Sequence, residues 1–136
     1  MPVVAGSACV PLLYVMVLVT INKTKALLYM RFFGHVRVSD VDQSLADVAE
    51  AVGDLPAGFR LLTDLTGLDF MDLGCQAGIG KTMELLDQKG MSTVIRVIPE
   101  PHKDIGFNIL TALHYRRHVQ SATYRSLEEA ARMLAL

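Results

Sequence analysis

The 136 residues predict one α/β domain built on a mixed β-sheet, in the element order ββαβαβαβα, with helices packed on the sheet. Three observations carry this. Short runs dense in Val, Ile, Leu, Tyr and Phe alternate with stretches whose apolar residues recur at helical spacing. The first two strand runs are separated only by a turn, so they pair antiparallel. Each later strand run is reached through a helical stretch, which makes those strands parallel.

The opening strands are expected at Val15–Thr20 and Lys25–Phe33, with Asn22-Lys23-Thr24 as the turn between them. Val41, Leu45, Val48 and Val52 then fall at the i, i+4, i+7, i+11 spacing of one helical face. Ser39 followed by Asp42 reads as an acidic variant of the capping box at its start, and Gly53 as its stop. Pro56 and Gly58 break the chain before Phe59–Leu65, a short buried strand whose end at Asp64 is a natural place for function. A second helix is expected from Asp72, capped by that residue, with Cys75, Ile79, Met83 and Leu86 on one face and Gly90 closing it. Thr93–Ile98 reads as a strand halted by Pro99 and Pro101, Asp104–Tyr115 as a third helix, and Val119–Thr123 as a last short strand. Ser126 with Glu129 forms a capping box for the C-terminal helix, whose face is Leu127, Ala130, Ala131 and Leu134.

At 51% hydrophobic and 20% charged residues the chain has the composition of a folded domain and not of a disordered one. A net charge of −1 supplies no global field for nucleic acid, so no nucleic-acid partner is expected. Cys9 and Cys75 stand far apart and outside any metal-ligand spacing; both read as reduced thiols, with no metal and no cofactor. The apolar run Ala8–Ile21 is shorter than the roughly 20 residues of a spanning helix. The first basic residue, Lys23, follows that run where a secretory signal would place basic residues before it, so a cytoplasmic location is expected. Met16 stands directly before the first strand. Residues 1–15 therefore read as an extension, non-native if translation starts at Met16, and 16–136 as the domain.

Leu61-Leu62-Thr63-Asp64-Leu65 leading to Phe70-Met71-Asp72 at a helix start, within this element order, resembles the STAS domain of sulfate transporters and anti-sigma-factor antagonists of the SpoIIAA kind. The resemblance runs from Val17 to about Leu134 and implies a STAS/SpoIIAA-like mixed sheet. In such antagonists the corresponding segment reads Phe-Met-Asp-Ser-Ser-Gly, and a partner kinase phosphorylates the second serine. Here it reads Phe70-Met71-Asp72-Leu73-Gly74-Cys75, which keeps the aspartate and places Gly74, with no hydroxyl, at the modified position. Gly58-Phe59-Arg60-Leu61-Leu62-Thr63-Asp64 and Gly106-Phe107-Asn108-Ile109 are similar to a smaller group of stand-alone bacterial STAS-like proteins of unassigned function.

Other patterns carry less chemistry. Gly78-Ile79-Gly80-Lys81-Thr82 imitates the end of a P-loop, but the glycine needed five residues before Gly80 is Cys75, and the segment lies in a predicted helix, where its glycines suit close helix–sheet packing. His114 and His118 are four apart but lack a third metal ligand. Asp64 and Asp72 are a strand-end and a helix-capping carboxylate before they are a catalytic pair. Lys103, His114, Arg116, Arg117, His118 and Arg125 form the densest basic stretch, read either as a solvated face or as a rim for an anion or acidic partner.

The leading expectation, drawn from the resemblance, is a non-enzymatic regulatory module that binds a protein partner through Asp64, Thr66, Asp72, Leu73 and Gly74. An alternative is a carrier of a small apolar or lipid-like ligand, membrane-associating, built on Phe107, Ile109, Leu110 and Leu113. A third is a hydrolase using Cys75 near a helix N-terminus, against which stands the reading of Cys75 as a buried structural thiol on the apolar face with Ile79 and Met83. A homodimer stays open.

Overall fold

The structure is a computed structural model and describes residues 16–98 and 119–135. Strand β1 (Val17–Asn22) joins β2 (Leu27–Val36) through a turn in which the Asn22 side chain accepts from the Lys25 N–H at 3.0 Å. That bond sets the register Asn22↔Leu27, so both strands begin two residues later than expected. Helix α1 (Val38–Val52), strand β3 (Arg60–Met71), helix α2 (Cys75–Gln88), strand β4 (Thr93–Val97), strand β5 (Gln120–Tyr124) and helix α3 (Leu127–Met133) follow. The sheet order is β1-β2-β3-β4-β5, with β1 antiparallel to β2 and all other neighbours parallel. This is the expected mixed sheet. The helix expected at 104–115 lies outside the described residues.

Period-two alternation sends each strand's apolar residues to two covered faces. On one, Leu28, Met30 and Phe32 of β2 and Leu61 and Leu65 of β3 pack with Val41, Val48 and Val52 of α1 and Ile79, Met83 and Leu86 of α2. On the other, Leu27, Leu62, Ile95 and Val97 lie under Ala130 and Leu134 at the C-terminal helix. Each of these buried side chains larger than alanine stabilises the fold by about 1.5–3 kcal/mol.

Two helix starts differ from expectation. Helix α1 begins at Val38, where the Asp40 carboxylate accepts from the Arg37 N–H at 2.8 Å, so the Ser39–Asp42 box is not the one formed. Its buried face takes Ser44, whose hydroxyl donates to the Val41 carbonyl at 2.8 Å, and leaves Leu45 half-buried. Helix α2 begins at Cys75 with Gly74 before it, so Asp72 is not its cap. The expected ends hold elsewhere: Gly90, at φ 92°, follows α2, and Ser126 accepts from the Glu129 N–H at 3.1 Å at the start of α3.

A polar row crosses the sheet on the side of α1 and α2, where Thr63, Arg96 and Thr123 are register neighbours on β3, β4 and β5. Arg96 Nε donates to Thr123 Oγ1 at 3.1 Å, and burial lowers the guanidinium pKa. Thr63 Oγ1 is buried with no hydrogen-bond partner among the described residues.

Candidate functional site

Sequence patterning places the end of β3 at Asp64–Leu65, whereas the strand continues to Met71. The pairs Arg31↔Asp64, Phe33↔Gly67, Gly34↔Leu68 and His35↔Phe70 show why: β3 twice takes an extra residue against β2. Each bulge reverses the in–out alternation, so Leu65, Leu68 and Met71 all face the helical core although they are three apart. Gly34, at φ 55°, adopts the left-handed conformation that the second bend requires of the partner strand.

The bulged ends of β2 and β3 open onto a rim at the starts of α1 and α2. His35 Nε2 lies 2.6 Å from Asp72 Oδ1, and the His35 ring meets the edge of Phe70 at 5.1 Å between centroids. The Asp72 N–H donates to the Val36 carbonyl, and the Asp72 carbonyl accepts from the Cys75 N–H, which fixes Leu73 and Gly74 as a tight turn into α2. A Cβ built on Gly74 would stand 2.9 Å from Val38 Cγ2, so this turn touches α1 directly. Among the described residues the large exposed hydrophobics are Val38, Phe70, Leu73 and Met133; the first three lie on this rim, with Leu73 67% exposed. Such clustering of apolar surface marks an interaction site more than scattered exposure does.

Asp64 and Thr66 belong elsewhere. Asp64 is 1% exposed and sits mid-strand on the α3 side of the sheet. Its Oδ1 accepts from the Thr66 N–H at 2.9 Å, taking an amide at the first bulge. Its Oδ2 accepts from Tyr29 Oη and Arg31 Nε, each at 3.2 Å. Burial, and then the Asp64 charge, raise the Tyr29 pKa. The five residues expected to act together are thus divided: Asp72, Leu73 and Gly74 are joined on the rim by His35, Val38 and Phe70, which patterning does not single out for this surface. A glycine near the end of a strand was the available signal, because it marks a bulge and a change of side-chain direction.

Cys75 has a different environment from the one a nucleophile needs. It is fully buried, its thiol donates to the Val36 carbonyl at 3.7 Å, and burial first, then Asp72, Asp40 and Asp42, push its pKa up to about 11. Held protonated at neutral pH, it fits the buried structural thiol expected on the apolar face of α2 and argues against the hydrolase alternative. Gly78 lies inside α2, where a Cβ would come within 2.6 Å of Val41 Cγ1; its role is close helix–helix contact, in place of the expected helix–sheet contact. No group of three or more His, Cys, Asp or Glu among the described residues could hold a metal ion, and no described helix is long and apolar enough to cross a membrane. Lys103, His114, Arg116, Arg117 and His118, together with Phe107, Ile109, Leu110 and Leu113, lie outside the described residues; Arg125 is exposed.

No family model matches the sequence, and no curated protein matches it. Solved structures do. The anti-sigma-factor antagonist SpoIIAA in its unphosphorylated form superposes with a TM-score of 0.61 at 17% identity, covering 88% of this chain and 97% of that one. An uncharacterised protein from Shewanella loihica with a SpoIIAA-like fold gives 0.60 at 16% identity over 87% and 91% of the two chains. An anti-sigma-factor antagonist from Mycobacterium paratuberculosis gives 0.55 at 16% identity over 88% and 93%. Together with the mixed five-stranded sheet and its flanking helices, these superpositions establish that the chain has the SpoIIAA-like fold of STAS domains.

Proposed function

We propose that the protein is a non-enzymatic regulatory module that binds a protein partner through the rim formed by His35, Val38, Phe70, Asp72, Leu73 and Gly74. The observation that carries this reading is the gathering of Val38, Phe70 and Leu73 around the His35–Asp72 pair. Apolar side chains held in water by a helix start, a strand end and a tight turn gain free energy when a partner covers them, and the polar pair at the centre supplies orientation. The likeness to anti-sigma-factor antagonists supports the choice of a protein as partner. SpoIIAA is known in phosphorylated and unphosphorylated forms. Gly74, at the position that resembles the modified serine, has no hydroxyl, so this rim is binding-competent without a phosphate cycle.

The test is affinity capture from the native cell extract with wild-type protein, Phe70→Ser, Leu73→Ser and, as control, Met133→Ser, which alters an equally exposed side chain on α3. The rim variants are expected to melt like wild type and to lose a protein that Met133→Ser retains. Equal recovery by all four would remove the rim as the working surface.

A further inference from the structure

We infer that Arg31 is the centre of an oxyanion-binding site on the α3 side of the sheet, separate from the rim and independent of its partner. Arg31 projects from β2 as the register neighbour of Asp64, which is buried beneath it. The Asp64 carboxylate takes the guanidinium only through Nε, at 3.2 Å, and is itself fixed by the Thr66 amide and the Tyr29 hydroxyl. The guanidinium carbon stands 4.9 Å from the Phe33 ring centroid and 5.9 Å from that of Tyr29, so neighbouring aromatic side chains on the same strand face restrain it. Among the described residues Nη1 and Nη2 have no acceptor, and the side chain is 39% exposed.

This is an arginine whose orientation has been settled in advance and whose two terminal amino groups have no acceptor among the described residues. A planar fork of N–H donors matches the two oxygens of a carboxylate or phosphate group in a bidentate pair, which an ammonium group cannot imitate. Asp64 is a positioning residue: it offsets the charge of Arg31, so selectivity at the site comes from the fork more than from net charge. A ligand of this chemistry is bound weakly by the single fork, with a Kd on the order of 10 mM for a free inorganic ion.

The experiment follows the Arg31 Nε–Hε resonance by NMR while sodium phosphate or sodium acetate is added, against sodium chloride at matched ionic strength. A saturable shift with phosphate, acetate or both, absent with chloride, is expected; which oxyanion acts separates tetrahedral from planar recognition. The same shift with chloride, or no saturable shift up to about 100 mM of either oxyanion, overturns the proposal. Arg31→Lys keeps the charge and removes the fork, and backbone amides of β2 and β3 in that variant should show at least tenfold weaker binding. Wild-type affinity in Arg31→Lys would also overturn it, and if that variant does not fold, the wild-type titration alone decides.

Discussion

Gly74 and Val38 touch across the starts of two helices, with only 2.9 Å between the place of a glycine Cβ and Val38 Cγ2. Gly74 itself has a helical conformation, φ −60° and ψ −15°, which alanine adopts without strain. Two effects therefore compete in Gly74→Ala: a gain of about 0.4–1 kcal/mol from a less flexible unfolded chain, and a contact cost of about 1–3 kcal/mol against a stiff β-branched neighbour. The contact wins, and urea denaturation should show a net loss of about 1 kcal/mol. In a Val38→Ala background the same substitution should become stabilising by about 0.5 kcal/mol. An unchanged sign would mean that α1 shifts away freely.

Replacing Thr63 with valine should stabilise the protein. The Thr63 hydroxyl is buried and unpaired among the described residues, while valine has nearly its shape. Removing an unsatisfied buried hydroxyl is worth about 1 kcal/mol, or about 3 °C in Tm for a domain of this size. A lower Tm for Thr63→Val would show that the hydroxyl has a partner.

The Cys75 thiol should resist alkylation by iodoacetamide at pH 8 until the protein is unfolded by denaturant, because it is buried and its pKa lies near 11. Its linkage has a definite sign. The folded pKa is raised from 9.0, so the native state holds the proton where the unfolded chain releases it. The associated stability is complete below pH 9 and is lost as pH rises through 11. Cys75→Ala should flatten that part of the stability curve, and an unaltered slope between pH 9 and 11 would assign it to other groups.

Asp64→Ala should be among the most damaging single changes. It leaves the Thr66 amide, the Tyr29 hydroxyl and the Arg31 Nε without their shared acceptor, at a cost of about 3–5 kcal/mol. Tyr29→Phe removes one of those three donors and should cost about 1 kcal/mol. Similar losses for the two variants would contradict the network.

Helices and the hydrophobic strand cores were legible in the sequence because their signals are local and periodic. Cys75, Ile79, Met83 and Leu86 form the buried face of α2 as their spacing predicts. The second half of β3 was not legible, since two bulges place Leu65, Leu68 and Met71 on one face and so break the period-two pattern by which a strand is recognised. Those two bulges hid the rim. A strand that stops at Leu65 leaves Asp64 beside Asp72 at its end, whereas a strand that continues to Met71 carries Phe70 to His35 and leaves Asp64 behind with Arg31. The starts of α1 and α2 were missed for a related reason: Asp40 and Asp42, or Asp72 and Gly74, are equivalent in pattern and differ only in which backbone group lies within reach.

The five described strands stand in space in the order in which they occur along the chain. Each strand therefore docks against one already made, and no gap has to be held open for a later arrival. Loops between paired strands close over one connection only, which keeps the entropic cost of each step small and favours rapid folding for a mostly parallel sheet. During synthesis the hairpin β1–β2 can serve as the template on which β3, β4 and β5 are laid in turn. Interrupted growth would expose a fresh parallel edge at every stage: until the short β5 is seated, β4 offers its edge to any neighbouring strand, and among the described strands the finished sheet ends on that side at a strand of five residues instead.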